Sequence, residues 1–86
     1  MYYTYILYSN SSLKYYCGST QNLLNRLQEH NAGETKSIKY GIPWILIGFR
    51  KFNTRAEAMK LEKQIKNRGI LRWLQQYQHL LVNDFI

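Results

Sequence analysis

The chain has 86 residues, enough for one domain with a modest core and too few for a second module beside it. Hydrophobic residues make up 45% and charged residues 20%, a balance that excludes an intrinsically disordered chain. Twelve Lys and Arg against five Asp and Glu give a formal net charge of +7, which points to a polyanionic partner, nucleic acid first, with evenly spread solubility charge as the alternative.

The N-terminal segment carries no signal for export or membrane insertion. Residues 1–10 lack a basic leader and a long apolar run, and no stretch approaches the roughly 18 apolar residues of a membrane span. Cys17 is the only cysteine, which excludes an internal disulfide and a thiolate-rich zinc site. We therefore expect a soluble cytoplasmic protein without a membrane partner.

The chain begins with a predicted β-hairpin. The stretch "YYTYILYS" is rich in aromatic and β-branched residues, the turn cluster "SNSS" overlaps its end, and "LKYYCGS" indicates a second strand. Strand alternation puts Tyr5 and Tyr16 on the same face of this hairpin, where they can lie side by side. Tyrosines are also common cross-strand pairs, so a purely structural role stays open.

A helix follows from about Leu23 to Asn31. Its Arg26 and His30 lie four residues apart and share the side of the helix that carries Leu23 and Leu27. Either the two form an ordinary solvated edge of the helix, or they face inward toward an anion that binds over the hairpin tyrosines.

The second half predicts a loop, a strand and two helices. The polar stretch "AGETKSIKYGIP" indicates a connecting loop, and "WILIGFRKF" has the continuous apolar character of a buried central strand. A capping box at Thr54 begins a helix that reaches about Lys66, Gly69 breaks it, and "ILRWLQQY" forms a last helix. The order β-β-α-β-α-α predicts an α/β fold, an α+β sandwich in which helices flank a small, three-stranded, mostly antiparallel sheet.

The first of these two helices carries a carboxylate near its apolar side. Ala58, Leu61 and Ile65 form the apolar stripe, and Glu62 projects only about 40° from the middle of that stripe. Lys66, at i+4, can pair with Glu62 for about 0.3 to 0.5 kcal/mol. A divalent cation is the alternative partner. Spacing alone favours the lysine.

Several of these elements together resemble the GIY-YIG nuclease domain: "YTYIL", the "YCG" eleven residues after Tyr5, Arg26 with "EHN" following, and "EAMKLEKQIK". The likeness runs from about residue 2 to residue 75. It is closest to small stand-alone members, which resemble the N-terminal nuclease domain of the bacterial excision-repair subunit UvrC. The family is named after the motifs Gly-Ile-Tyr and Tyr-Ile-Gly. In this chain the corresponding residues are Tyr-Thr-Tyr (3–5) and Tyr-Cys-Gly (16–18). We expect one such domain over residues 1–86, with 76–86 as a C-terminal tail.

The resemblance implies a metal-dependent endonuclease that hydrolyses phosphodiester bonds in DNA, in repair or recombination. It implies that Tyr5 or Tyr16, by preference Tyr5, helps to deprotonate the attacking water, and that Arg26 contacts the scissile phosphate. His30 would relay a proton or hold a tyrosine hydroxyl. Glu62 would bind a single divalent ion, Mg²⁺ or Mn²⁺. The five side chains are then expected to converge on one pocket, with Arg26 and His30 facing inward.

The attacking water could be activated in two ways. A tyrosine near pKa 10 is a poor base, so either Arg26 and the metal favour its phenolate or the metal acidifies the water directly. The sequence does not decide between them.

Three other functions compete with a nuclease. The same basic fold could bind DNA or RNA without cutting it. Cys17 and His30 could form a thiol enzyme. Trp44, Trp73 and Tyr77 could form a protein interface, although aromatic residues at such spacings are more often core. We expect DNA rather than RNA as the substrate. Protein partners could target so small a domain to its substrate. The structure of the substrate and the oligomeric state of the protein stay open.

Overall fold

The fold is built on one antiparallel sheet. A computed structural model describes residues 1–83 and contains strands β1 (Tyr2–Ser9), β2 (Lys14–Thr20) and β3 (Trp44–Phe52). Their order in the sheet is β2-β1-β3, and both pairs are antiparallel. The predicted antiparallel three-stranded sheet is confirmed.

Three α-helices flank the sheet: α1 (Leu23–Asn31), α2 (Arg55–Arg68) and α3 (Ile70–Tyr77). The chain order β-β-α-β-α-α is confirmed. Two short 3₁₀ segments, Lys36–Gly41 and Gln78–Leu80, were not predicted. The first lies inside the expected loop, where Ile38 is buried against the sheet. None of the described helices is both long and apolar enough to cross a membrane.

Local signals fix where the helices start and stop. The Asn22 side chain accepts a hydrogen bond from the backbone N–H of Asn25 and caps α1. Thr54 and Glu57 form the predicted reciprocal capping box of α2. Gly69 has φ 97°, which favours glycine, and it ends α2 two residues beyond the predicted Lys66.

Strand alternation divides the core between the two faces of the sheet. Tyr5 and Leu7 point to the face covered by α1, where Leu23 packs. Ile6 points to the opposite face, which α2 and α3 cover and where Ile65 packs. Residue parity therefore decides which layer each hairpin side chain enters.

The prediction that β3 is the central strand is wrong. β1 is central, and β3 lies at an edge of the sheet. The outer edge of β3 is nevertheless partly covered, because Phe49 exchanges two backbone hydrogen bonds with Val82. Cover on both faces and at this edge explains why an edge strand has the apolar run of a central one.

Candidate active site

Tyr5, His30 and Thr35 form a chain of hydrogen bonds on the α1 side of the sheet. The Tyr5 hydroxyl lies 2.9 Å from Nε2 of His30, and Nδ1 of His30 lies 2.8 Å from the Thr35 hydroxyl. Tyr5 and His30 are only 2% and 1% exposed. Both ring nitrogens of a buried imidazole are thus satisfied, which holds the ring in place. Thr35 lies in the loop after α1, where no sequence signal identified it.

Burial keeps Tyr5 and His30 neutral. Desolvation raises the pKa of Tyr5 well above its usual range, the nearby Tyr16 raises it further, and the Arg26 charge opposes this. Desolvation lowers the pKa of His30, and the positive charge of Arg26 lowers it further. At neutral pH the site therefore contains a phenol hydrogen-bonded to an uncharged imidazole.

Tyr16 completes this cluster from the edge strand β2. Its ring meets the His30 ring in a T-shaped contact at 5.3 Å and lies 6.3 Å from the Tyr5 ring, centroid to centroid. Gly18 stands directly opposite Tyr5 in the register. A Cβ atom at Gly18 would come within 2.6 Å of the Tyr5 hydroxyl oxygen. A side chain at position 18 would therefore clash with the Tyr5 hydroxyl, so the position requires glycine.

Arg26 is half-buried at the rim of the site, so its predicted role of facing inward toward a phosphate stays a prediction. Its side chain stays 44% exposed, and its Nε lies 3.4 Å from a carboxylate oxygen of Glu29. A long guanidinium side chain can leave the apolar face and keep its charge hydrated, whereas His30 has two buried partners. Arg26 borders a cleft of about 290 Å³ that Ser19 and Arg55 also line.

Glu62 approaches from the opposite layer. Its Oε1 accepts a hydrogen bond from the Ser19 hydroxyl at 2.7 Å, and its Oε2 accepts one from the Lys66 ammonium at 2.6 Å. The Glu62 side chain is 21% exposed. The Lys66 ammonium lies 6.0 Å from the centre of the Tyr16 ring. The lysine pair that the spacing favours is present, whereas Ser19 was missed.

The structure brings three of the five predicted residues into direct contact: Tyr5, Tyr16 and His30. Arg26 lies at the rim on the α1 side, and Glu62 lies on the α2 side of strand β2. Both charges still act on the Tyr5 hydroxyl, because Arg26 lowers the pKa of Tyr5 and Glu62 raises it. The site is therefore an uncharged, buried centre, and the charges of Arg26 and Glu62 act on its Tyr5 hydroxyl from its two sides.

The residues around Glu62 fit a divalent ion held by a single protein carboxylate. Residues 1–83 contain no group of three His, Cys, Asp or Glu side chains that could hold a metal. Glu62 offers hard oxygen atoms, and a cation, the Lys66 ammonium, already contacts one of them. Mg²⁺ is commonly bound through one or two carboxylates, with water and substrate phosphate as the other ligands. The fit requires the lysine to move away from Oε2.

The geometry argues against two of the competing functions. Cys17 packs on the α2 side, across the sheet from the His30 cluster, and burial raises the pKa of its thiol to about 12. The hypothesis that Cys17 and His30 form the site of a thiol enzyme is therefore wrong. Trp44 and Trp73 are buried core residues and only Tyr77 is half-buried, so the three aromatic side chains do not form one exposed interface.

The chain belongs to the GIY-YIG catalytic domain family, since the sequence model of that family matches residues 1–70. A UPF0213 protein of Listeria monocytogenes is 46% identical over 57 residues, which cover 65% of this chain and 63% of that protein. The UPF0213 protein YsiG of Lactococcus lactis is 35% identical over 86 residues, 99% of this chain and 79% of the relative.

A UPF0213 protein of the archaeon Haloquadratum walsbyi is 40% identical over 67 residues, 76% of this chain and 73% of its own length. The matched part of the chain spans 63% of the first Listeria relative, just under two thirds. No solved structure matches the chain. The predicted likeness to small stand-alone members of the GIY-YIG family is confirmed.

Proposed function

We propose that the protein is a divalent-metal-dependent endonuclease that hydrolyses phosphodiester bonds in DNA. The observation that carries the proposal is the buried hydrogen bond between the Tyr5 hydroxyl and His30, within electrostatic range of Arg26 and Glu62. Membership of the GIY-YIG catalytic domain family and the net charge of +7 support it.

In this proposal, Tyr5 activates water as a neutral phenol. His30 is uncharged, so one of its nitrogens accepts a proton and the other donates one. With Nδ1–H donating to Thr35, the Tyr5 O–H donates to Nε2, and the phenol oxygen keeps its lone pairs for the attacking water. Tyr5 then takes a proton from the water as it passes its own to His30. This relay needs no free phenolate, in agreement with the raised pKa of Tyr5.

Arg26 is the group that stabilises the phosphate charge on the α1 side. Attack on a phosphodiester builds negative charge on the nonbridging oxygens, which preorganised donors must stabilise. The Arg26 guanidinium is exposed, and its contact with Glu29 is a weak surface pair. It can therefore exchange that carboxylate for a phosphate oxygen, with the two-pronged geometry that guanidinium groups offer.

Glu62 would hold the divalent ion, Mg²⁺ or Mn²⁺. The ion would supply positive charge against the phosphate oxygens from the α2 side. The Ser19 hydroxyl donates to Oε1 and so helps to orient the Glu62 carboxylate beside β2. Tyr16 packs its ring against the His30 ring and so helps to keep the imidazole in position.

The proposal is tested with labelled DNA and RNA in duplex, nicked, branched and single-stranded form, incubated with Mg²⁺, Mn²⁺ or EDTA. We expect DNA cleavage that depends on the metal, and we expect Glu62→Gln to slow it by at least about 10³-fold. The matched control is Glu57→Gln, an exposed carboxylate on the same helix as Glu62, which should cleave normally because glutamine can keep the capping hydrogen bonds with Thr54. Preference for nicked or branched DNA would support a role in repair or recombination.

One outcome would favour the alternative function, a non-catalytic nucleic-acid-binding module of the same fold. It is tight binding of DNA by folded protein with no turnover in Mg²⁺ or Mn²⁺ on any of these substrates. Normal cleavage by Glu62→Gln would contradict the assigned role of this carboxylate.

A further inference from the structure

A groove of about 780 Å³ lies between α2, α3 and β3, on the face of the sheet opposite the Tyr5–His30 pair. Its floor is apolar and aromatic, and its rim carries three guanidinium groups. The floor consists of Leu61, Trp73 and Tyr77, and the rim of Arg50, Arg68 and Arg72. None of these residues belongs to the candidate active site.

Among residues 1–83, the three arginines of the rim have no carboxylate partner. Within residues 1–83, Arg26 and Lys66 are the only cationic side chains that lie within 4.0 Å of a carboxylate. The Arg68 guanidinium instead lies 5.8 Å from the centre of the Tyr77 ring and contacts the side-chain oxygen of Gln76. Three neighbouring cations without an anion repel one another, so the groove attracts a negatively charged ligand.

Positive charge continues beyond the groove in two directions from Arg50. Arg50 also borders a smaller groove that contains Lys60 beside the carboxylate of Glu57, and another that contains Lys51. A small anion would need only one cluster of donors. Cations that extend beyond a single groove on both sides of Arg50 fit a polymer with regularly repeated charge.

The floor adds a preference for unpaired bases. Tyr77 is only half-buried, and it forms the floor beside the guanidinium groups. Aromatic rings stack with the bases of a single strand, whereas the bases of a duplex already stack on one another. We propose that this groove binds a single-stranded nucleic acid segment, with its phosphates on Arg50 and Arg72 and a base on Tyr77. Binding there needs none of the active-site residues, so the inference extends beyond the proposed nuclease activity.

The test measures the fluorescence anisotropy of a labelled oligothymidylate of about 12 nucleotides with the full chain in EDTA. We expect the double variant Arg50→Ala/Arg72→Ala to bind at least about tenfold more weakly and to lower the salt slope by about 1.4, for two lost phosphate contacts. The control Lys36→Ala/Lys39→Ala removes the same charge from exposed sites on the α1 side and should change affinity less than about twofold. Circular dichroism verifies that each variant folds.

Tyr77→Leu separates stacking from charge. It keeps the floor apolar, and we expect about tenfold weaker binding of the oligonucleotide with an unchanged salt slope. The same variants should still cut a short, fully paired duplex, because none of the substituted groove residues belongs to the candidate active site. Loss of single-strand binding together with normal duplex cleavage therefore separates this inference from the proposed function.

Several results would overturn the inference. One is an equal loss of affinity in the lysine control, which would mean that only the total charge matters. A second is duplex DNA that binds as tightly as the oligothymidylate and with the same sensitivity to Arg50→Ala/Arg72→Ala. A third is displacement of the oligonucleotide by thymidine monophosphate or by a polyglutamate peptide at concentrations comparable to that of the unlabelled oligonucleotide.

Discussion

Polar side chains on the two sides of strand β2 differ in burial and in charge. On the α1 side, Tyr5 and His30 are almost fully buried, hydrogen-bonded to each other and neutral. On the α2 side, Glu62 and Lys66 remain an ion pair, with 21% and 49% of their side chains exposed. Groups suited to proton transfer thus lie in the buried layer, and groups suited to binding ions lie where they are partly exposed.

This difference also separates rigid parts from exchangeable parts. Removing one partner of a buried hydrogen bond leaves the other unsatisfied, at a cost of about 1 to 3 kcal/mol. A partly exposed ion pair contributes only about 0 to 1 kcal/mol, so a competing ion can replace one partner. The inner side therefore holds its geometry, and the outer side can change ligands.

Tyr5→Phe should produce the largest effect, because it removes the proton-transferring hydroxyl from the buried layer. We expect the cleavage rate to fall by about 10²- to 10⁴-fold. The free energy of unfolding should fall by about 1 to 3 kcal/mol, since buried His30 loses its partner at Nε2. Single-turnover cleavage and urea unfolding measure the two effects.

Tyr3→Phe is the matched control for this change. Tyr3 lies on the same strand and the same face as Tyr5, and its ring packs on Phe49. We expect a rate within about threefold of wild type, too small a change to involve a general base. If Tyr5→Phe cuts as fast as Tyr3→Phe, then Tyr5 does not transfer a proton.

The next effect concerns pH, and it reports whether His30 stays buried and neutral. Desolvation and Arg26 lower the pKa of His30 below the ordinary 6.5, while Glu29 acts in the opposite direction. Between the folded-state pKa and 6.5, the unfolded chain binds more protons than the folded chain, so stability rises with pH in that window. We expect stability to fall as the pH drops through 6.5 and to level off below the folded-state pKa.

Urea unfolding of the wild type and His30→Gln between about pH 5 and pH 8 checks this expectation. The variant should lack the part of the pH dependence that belongs to His30. His79→Gln is the control, because His79 is exposed in the last 3₁₀ segment and should leave the wild-type profile unchanged. A wild-type profile that is flat around pH 6.5 would mean that protonation of His30 is not coupled to folding.

Local sequence patterns were sufficient for most of the fold. Period-two alternation correctly assigned the hairpin side chains to the two faces, and the capping box correctly placed the start of α2. The position of β3 at an edge of the sheet was not predicted. An apolar run indicates how much of a strand is buried, but it does not indicate which parts of the chain bury it. In β3 part of that cover is Val82, at the far end of the chain.

The candidate site was harder to predict where its contacts are long-range. Ser19 and Glu62 are 43 positions apart, and no spacing rule connects a strand residue with a residue of a later helix. Thr35 lies in a loop whose path depends on packing around Ile38. Helical spacing correctly put Arg26 and His30 on one side of α1, but it could not show that Arg26 would remain partly exposed while His30 is buried.

The smallest change in stability is expected on the exchangeable side, from Lys66→Met. The hydrogen bond to Glu62 raises the pKa of Lys66, so its ammonium remains charged beside Oε2. Its removal should cost less than about 1 kcal/mol, since the pair is partly exposed. It should also tighten Mn²⁺ binding, measured by isothermal titration calorimetry, about threefold or more, because a cation that competes for the carboxylate is gone.

Lys63→Met, one turn from Lys66 on the same helix, removes the same charge without removing a contact to Glu62, and should bind Mn²⁺ as the wild type does. Weaker binding by Lys66→Met would mean that the lysine orients Glu62 for the ion, and that the two sides of β2 are equally rigid.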